Sequence, residues 1–214
     1  MNKITAIRQQ FLKDNGVENQ DSYLVQPLSD GRYAFAVADG LGGAPNGAFF
    51  SHNLMRVLRY KSREIDEVLM RYTSNVNRHT IGHIQVFFKS IVCDFVERVG
   101  NRYGFDLLGG TTLAVAWQVT GERFVTYSVG DSEIMVSSAL TQSPWIVHDL
   151  DLVSPGSNQL TNAVTMCFQS STQVPKIISL KDGDVLALYT DGLGDNLHPN
   201  VIQNIVRSKS PKVY

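Results

Sequence analysis

Three apolar runs in this chain each end on an aspartate beside a glycine. They are Tyr33-Ala34-Phe35-Ala36-Val37-Ala38-Asp39-Gly40, Phe124-Val125-Thr126-Tyr127-Ser128-Val129-Gly130-Asp131-Ser132, and Val185-Leu186-Ala187-Leu188-Tyr189-Thr190-Asp191-Gly192. A short apolar run bounded by turn residues reads as a buried strand. A carboxylate at the end of such a strand is costly to desolvate unless it is paired, hydrogen-bonded or bound to a cation. Few basic residues stand near these aspartates in sequence. The pattern therefore predicts several carboxylates converging on hard divalent metal ions.

The chain has 214 residues, enough for one sizeable core and short of a comfortable two-domain split, so a single domain over 1–214 is expected. Hydrophobic residues make up 43% and charged residues 18%, an ordinary globular balance. A formal net charge of −1 gives no electrostatic case for nucleic acid or an anionic membrane surface as a partner. No apolar stretch has the length of a membrane span, and Met1 to Gln10 lacks the apolar core of a signal peptide. Two scattered cysteines, Cys93 and Cys167, make neither a disulfide framework nor a zinc site. They predict buried core thiols and a cytoplasmic location.

Residues Ser22 to Val25 and Arg32 to Ala38 read as paired strands joined through Ser29-Asp30-Gly31. After the Gly40-Leu41-Gly42-Gly43 loop, Pro45 suits the first turn of a helix that places Phe50, Leu54, Val57 and Leu58 on one face. A longer helix is expected from about Ile81 to Arg102, with Gly104 as its stop. The period then changes. Thr111 to Val119, Arg123 to Val129 and Ile134 to Val136 are strand-like, and Thr141 to Gly156 reads as a flap-like excursion. Lys176 to Leu180 and Asp184 to Tyr189 bracket a turn at Lys181-Asp182-Gly183, and a last helix is expected near Pro199 to Arg207. Hairpin-joined strands with helices outside them predict an α+β layered fold of antiparallel sheets.

Five segments together resemble the metal-dependent type-2C protein phosphatases. They are Asn19-Gln20-Asp21-Ser22-Tyr23, Val37-Ala38-Asp39-Gly40-Leu41-Gly42-Gly43, Gly109-Gly110-Thr111-Thr112-Leu113-Ala114, Val129-Gly130-Asp131-Ser132, and Thr190-Asp191-Gly192-Leu193-Gly194-Asp195-Asn196. Each alone is weak, because Asp-Gly is a common turn pair. Their order and spacing carry the resemblance. It implies a four-layer αββα sandwich, two antiparallel sheets flanked by helices, here C-terminally shortened. It also implies hydrolysis of phosphoserine or phosphothreonine in a phosphorylated protein substrate by water activated at Mg²⁺ or Mn²⁺, a signalling activity. Such cations prefer oxygen ligands and retain several waters.

By the same resemblance Asp39 bridges two ions and Gly40 offers its carbonyl. Asp191 binds one of the two, and Asp21 holds metal-bound water. Asp131, Asp191 and Asp195 would take a third ion. Asp39 and Asp191 are thus the expected catalytic residues.

Two departures stand beside these expectations. Many members carry a phosphate-gripping arginine three residues before the Asn-Gln-Asp segment, where this chain has Gly16, leaving Lys13 or Arg8 as candidates to reach the substrate phosphate. The family also usually ends with a further metal-binding aspartate, and no Asp or Glu follows Asp195 here. That leaves open a partner chain that completes the site, or a pseudophosphatase that binds phosphoprotein without hydrolysing it. Leu41 stands where some members have a histidine. His79 and His83 lack the intervening glutamate of a zinc protease, and Gly109-Gly110 lacks the lysine of a nucleotide-binding loop. Trp117 and Trp145 are expected to anchor the core and the flap.

Overall fold

Side-chain alternation along each strand decides how the layers stack. The computed structural model describes residues 19–42, 44–74, 78–140, 144–149, 160, 162–168 and 173–207. Strands β1 (Ser22–Pro27) and β2 (Tyr33–Ala38) form a hairpin. Its turn holds Asp30 and Gly31 at φ 61° and 72°, the left-handed region that Asp and Gly enter most readily. Helices α1 (Gly47–Tyr60), α2 (Ser62–Thr73) and α3 (Arg78–Tyr103) follow. The chain continues through β3 (Gly110–Thr111), β4 (Leu113–Gln118), β5 (Arg123–Val129), β6 (Glu133–Ser137), β7 (Trp145–Ile146), β8 (Val164–Thr165), β9 (Lys176–Ser179) and β10 (Val185–Tyr189). It then makes one turn of helix, α4 (Asp191–Gly194), and ends its described part in α5 (Pro199–Arg207).

All strand pairs are antiparallel. One sheet has the order β1-β2-β4-β5-β9, a second β10-β6-β7, and β3 pairs with β8. Three apolar clusters separate four layers. The first lies between the helices and the five-stranded sheet. It takes Ala34, Ala36 and Ala38 of β2, Leu113, Val115 and Trp117 of β4, and Val125, Tyr127 and Val129 of β5, with Phe50, Leu54, Phe88 and Phe95 from the helices. The second lies between the two sheets and takes residues of opposite parity: Ala114, Ile134 and Val136, with Val37, Leu186 and Leu188 packed against them. The third sets Met135, Tyr189 and Ala187 against Ile202 of α5. Alternate side chains of one strand thus serve different layers, the period-2 rule of a sheet buried on both faces. This is the expected αββα sandwich.

Several local expectations need correction. The expected helices leave out α2, whose Ile65 and Leu69 are fully buried, each contributing roughly 1.5–3 kcal/mol. Also buried on α2 is Asp66, which accepts hydrogen bonds from Arg32 Nη1 and Nη2 at 2.7 and 2.9 Å and from Trp117 Nε1 at 3.4 Å. Strands β9 and β10 flank a turn but do not pair with each other. The turn carries the chain from the edge of one sheet to the edge of the other.

Of the two free cysteines, Cys93 is half-buried against the main cluster, while Cys167, in the turn after β8, is exposed. Trp117 is buried as expected, but Trp145 is 45% exposed because β7 is an edge strand. In the expected flap, 141–143 and 150–156 lie outside the described residues, and the described part includes β7 paired to β6. Among the described residues no helix is long and apolar enough to cross a membrane.

Candidate active site

Strand register, more than sequence proximity, assembles the acids. Ser22 lies opposite Ala38, so one step further along β1 and β2 sets Asp21 opposite Asp39. The β2–β4 register, continued likewise, sets Asp39 opposite Thr112, and the β4–β5 register sets Thr112 opposite Gly130. One row therefore crosses the large sheet as Asp21, Asp39, Thr112 and Gly130. In the second sheet Tyr189 lies opposite Glu133, so Asp131, two residues before Glu133, and Asp191, which opens α4 two residues after Tyr189, leave the sheet at the same end. Ala34, Ala36 and Ala38 face the helices. Parity then turns the Asp39 side chain to the other face, into the gap between the sheets.

Backbone hydrogen bonds fix these positions. Asp39 N donates to Thr112 Oγ1 at 2.9 Å, while its carbonyl accepts from Thr112 N at 2.8 Å and Thr111 Oγ1 at 2.7 Å. Gly40 N donates to Gln20 O at 3.1 Å, and Leu41 N to Gly110 O at 3.0 Å. Asn19 Oδ1 accepts from Asp21 N at 2.8 Å, which shapes the entry to β1. Glycine is required at position 40 on packing grounds. A Cβ there would lie 2.4 Å from the Gly47 carbonyl carbon and 2.8 Å from Gln20 Cβ. Asp191 opens α4 and Asp195 follows it, with Asp195 N donating to Asp191 O at 2.8 Å, so both acids stand on one helical turn.

The electrostatics are those of carboxylates crowded together. Burial, then the hydrogen bond and charge of Asp191, then the charge and hydrogen bond of Asp21, hold the Asp39 carboxyl far above the usual carboxylate range. Asp131 is pushed up to about 6, chiefly by burial, then by Asp191, Asp195 and Glu133. Among the described residues, the charged side chains that act most on Asp39 and Asp131 are other acids.

Asp21, Asp39 and Asp191 are thus brought together, and Asp131 joins them through Asp191 with Asp195 beside it. Glu133 is an acid that the sequence reading missed. Burial raises its pKa, and its Oε2 accepts from Tyr189 OH at 2.8 Å. The signal available was its place two residues after Asp131; the cross-strand pairing to Tyr189 is visible only in the fold. Lys13, Arg8 and Gly16 lie outside the described residues.

An all-oxygen donor set suits a hard cation, and mutual repulsion among acids is what such a cation relieves. Among the described residues no group of three or more His, Cys, Asp or Glu side chains is placed to hold one ion. Mg²⁺ does not require such a group, because it is usually held through one or two carboxylates and keeps several waters. The oxygen donors present suit a hard cation held by few protein ligands in an open, hydrated coordination sphere.

No curated protein matches the chain by sequence. Solved structures share its fold at low identity. A bacterial serine phosphatase superposes with a TM-score of 0.71 at 16% identity, covering 92% of this chain and 82% of that one. The S. agalactiae serine/threonine phosphatase gives 0.70 at 18% identity, covering 97% and 85%. PppA, described as a key regulatory component of T6SS in Pseudomonas aeruginosa, gives 0.66 at 20% identity, covering 91% and 79%. The family model for protein phosphatase 2C matches residues 11–208. With that match running from before the Asn-Gln-Asp segment to beyond α5, the chain belongs to the protein phosphatase 2C family.

Proposed function

We propose that the chain is a Mg²⁺- or Mn²⁺-dependent hydrolase of phosphoserine and phosphothreonine monoesters in proteins. The observation that carries this reading is the meeting of Asp39 with Asp21 and Asp191 between the ends of the two sheets, acid against acid. Like charges so placed oppose ionisation of Asp39 unless cations compensate them. Family membership supports the same reading, as do the named activities of the serine/threonine phosphatases that share the fold.

In this reading Asp39, the Gly40 carbonyl and Asp191 would hold the cations, and Asp21 would hold a metal-bound water. Asp131 and Asp195 hold a third ion with Asp191. The cations, when bound, supply the Lewis acidity that activates a water and neutralises charge on the phosphoryl oxygens. The Asp39 carboxyl must give up its proton for the site to load, so loading releases protons. The Thr111 and Thr112 hydrogen bonds keep the Asp39 backbone from moving when that proton leaves. In this reading metal-activated water would be the nucleophile, so no covalent phosphoenzyme is expected. An exposed free Cys167 suits a reducing compartment, in keeping with the cytosol.

The test is hydrolysis of an aryl phosphate and a phosphothreonine peptide with and without millimolar Mn²⁺, beside Asp39→Asn and Asp191→Asn. Turnover that needs the metal and is lost in both folded variants supports the assignment. Turnover that survives both changes sinks it. A folded chain that binds Mn²⁺ and phosphopeptide without hydrolysis would make it a phosphoprotein-binding regulator.

A further inference from the structure

The Gly109-Gly110-Thr111-Thr112 segment carries no charge, yet the Thr112 side chain that accepts from the Asp39 amide also reaches a second partner, Ser132. We infer that Thr112 is a positioning residue that couples the Asp39 backbone to the turn bearing Asp131, so that acids from opposite sides of the site are set as one unit. This rests on the cation-dependent reading above.

Thr112 lies between β3 and β4, opposite Asp39 on one side and Gly130 on the other. Its hydroxyl oxygen accepts the Asp39 amide hydrogen at 2.9 Å and lies 2.6 Å from Ser132 Oγ. One lone pair is taken by the amide, which leaves a donor and an acceptor position for Ser132. The relative exposures of Thr112 and Ser132 are 1% and 2%, so water is in no position to replace either partner. The methyl group does separate work. Gly130 sits at φ 95°, and a Cβ there would lie 2.8 Å from Thr112 Cγ2. The methyl therefore rests against the bare Cα of the residue just before Asp131. One short side chain touches the Asp39 backbone and both neighbours of Asp131. A longer residue would not fit, and a smaller one would lose one of the two contacts.

Valine at this position keeps the methyl and removes the hydroxyl, stranding the Asp39 amide and Ser132 Oγ. Serine keeps the hydroxyl and loses the methyl. The experiment compares wild type, Thr112→Val, Thr112→Ser and Ser132→Ala as full chains. Readouts are Mn²⁺ affinity by calorimetry, the Asp39 amide resonance by NMR, and kcat and KM for an aryl phosphate. Groups that orient metal ligands in this way typically change affinity 10–100-fold, and a loss of about that size is expected for Thr112→Val. Its kcat should fall more than its KM changes, and the Asp39 amide resonance should shift. Thr112→Ser should restore the affinity.

Wild-type Mn²⁺ affinity in Thr112→Val overturns the inference, and so does equal loss in the Val and Ser variants, which would show that restoring the hydroxyl does not restore the site. Should Thr112→Val fail to fold, Ser132→Ala decides, because it cuts only the link to the turn; unchanged affinity there overturns the coupling. Wild-type binding of Mn²⁺ without turnover would refute the phosphatase reading alone and leave the hydroxyl comparison to decide this one. A wild-type chain that takes no Mn²⁺ overturns both.

Discussion

Replacing Asp131 by asparagine should stabilise the metal-free protein while weakening its response to metal. In the fold the Asp131 carboxyl is raised from 3.8 to about 6 by burial and by Asp191, Asp195 and Glu133. Proton counting sets the sign. Between those two values the folded state binds more protons than the unfolded state, so stability falls as pH rises through the window. Below 3.8 the carboxyl is protonated in both states and costs nothing; above about 6 the full cost is present. A difference of about 2.2, at about 1.4 kcal/mol for each tenfold change, gives about 3 kcal/mol. Partial solvent access to this half-buried group reduces the observable gain to about 1–3 kcal/mol.

Urea denaturation in EDTA should therefore show Asp131→Asn more stable than wild type at pH 7.5, with the gap closing toward pH 4. Saturating Mn²⁺ should narrow the gap, because wild type then gains about 2.7 kcal/mol at a hundredfold excess over Kd and the variant gains less. A variant no more stable than wild type in EDTA at pH 7.5 would refute the argument. So would a gain that does not shrink on acidification.

Two further outcomes concern parts of the fold remote from Asp39. Asp66→Ala should cost about 3–5 kcal/mol in urea denaturation, because it leaves the buried Arg32 guanidinium without its carboxylate, yet Mn²⁺ affinity should hold, since Arg32 precedes β2 and Asp39 follows it. His148 should make the protein acid-sensitive: burial first, then Lys176, lower its pKa from 6.5 to about 4, so the unfolded state binds the extra proton between those values. Stability should then drop by about 3 kcal/mol from pH 6.5 to pH 4 and stay level above 6.5 for this group, a dependence that denaturation at stepped pH should show to be absent in His148→Gln.

The strands were legible because each is a local pattern. Tyr33 to Ala38 and Val185 to Tyr189 are apolar runs closed by turn residues, and the structure places strands there. Helix α2 was missed because Ser62, Arg63, Glu64, Asp66 and Glu67 swamp its stripe. Ile65, Leu69 and Thr73 do recur at helical spacing and all three are buried. Asp66 was invisible as a core residue because its partner, Arg32, is distant in sequence and reaches it only through the packing of α2 on the sheet. The separation of β9 from β10 was illegible for a related reason. A turn at Lys181-Asp182-Gly183 fits a hairpin and a crossover equally well, and only the pairing of β9 with β5 and of β10 with β6 distinguishes them.

The site shows the same division between local and long-range information. Its aspartates announce themselves because each closes a strand too apolar to tolerate it, but which acids meet depends on register. Asp21 and Asp39 stand one step beyond the paired ends of β1 and β2, while Asp131 precedes β6 and Asp191 opens α4 just after β10, close enough to act on one another. The chain passes between the sheets at Gly130-Asp131-Ser132, leaving β5 for β6. Cations held by Asp39 on one side and Asp191 on the other would therefore join the two sheets at the end where their apolar contacts stop. Their binding energy would become folding energy. The repulsion that destabilises this end without metal and the affinity that loads it are then one property, set by how far burial and register force the acids together.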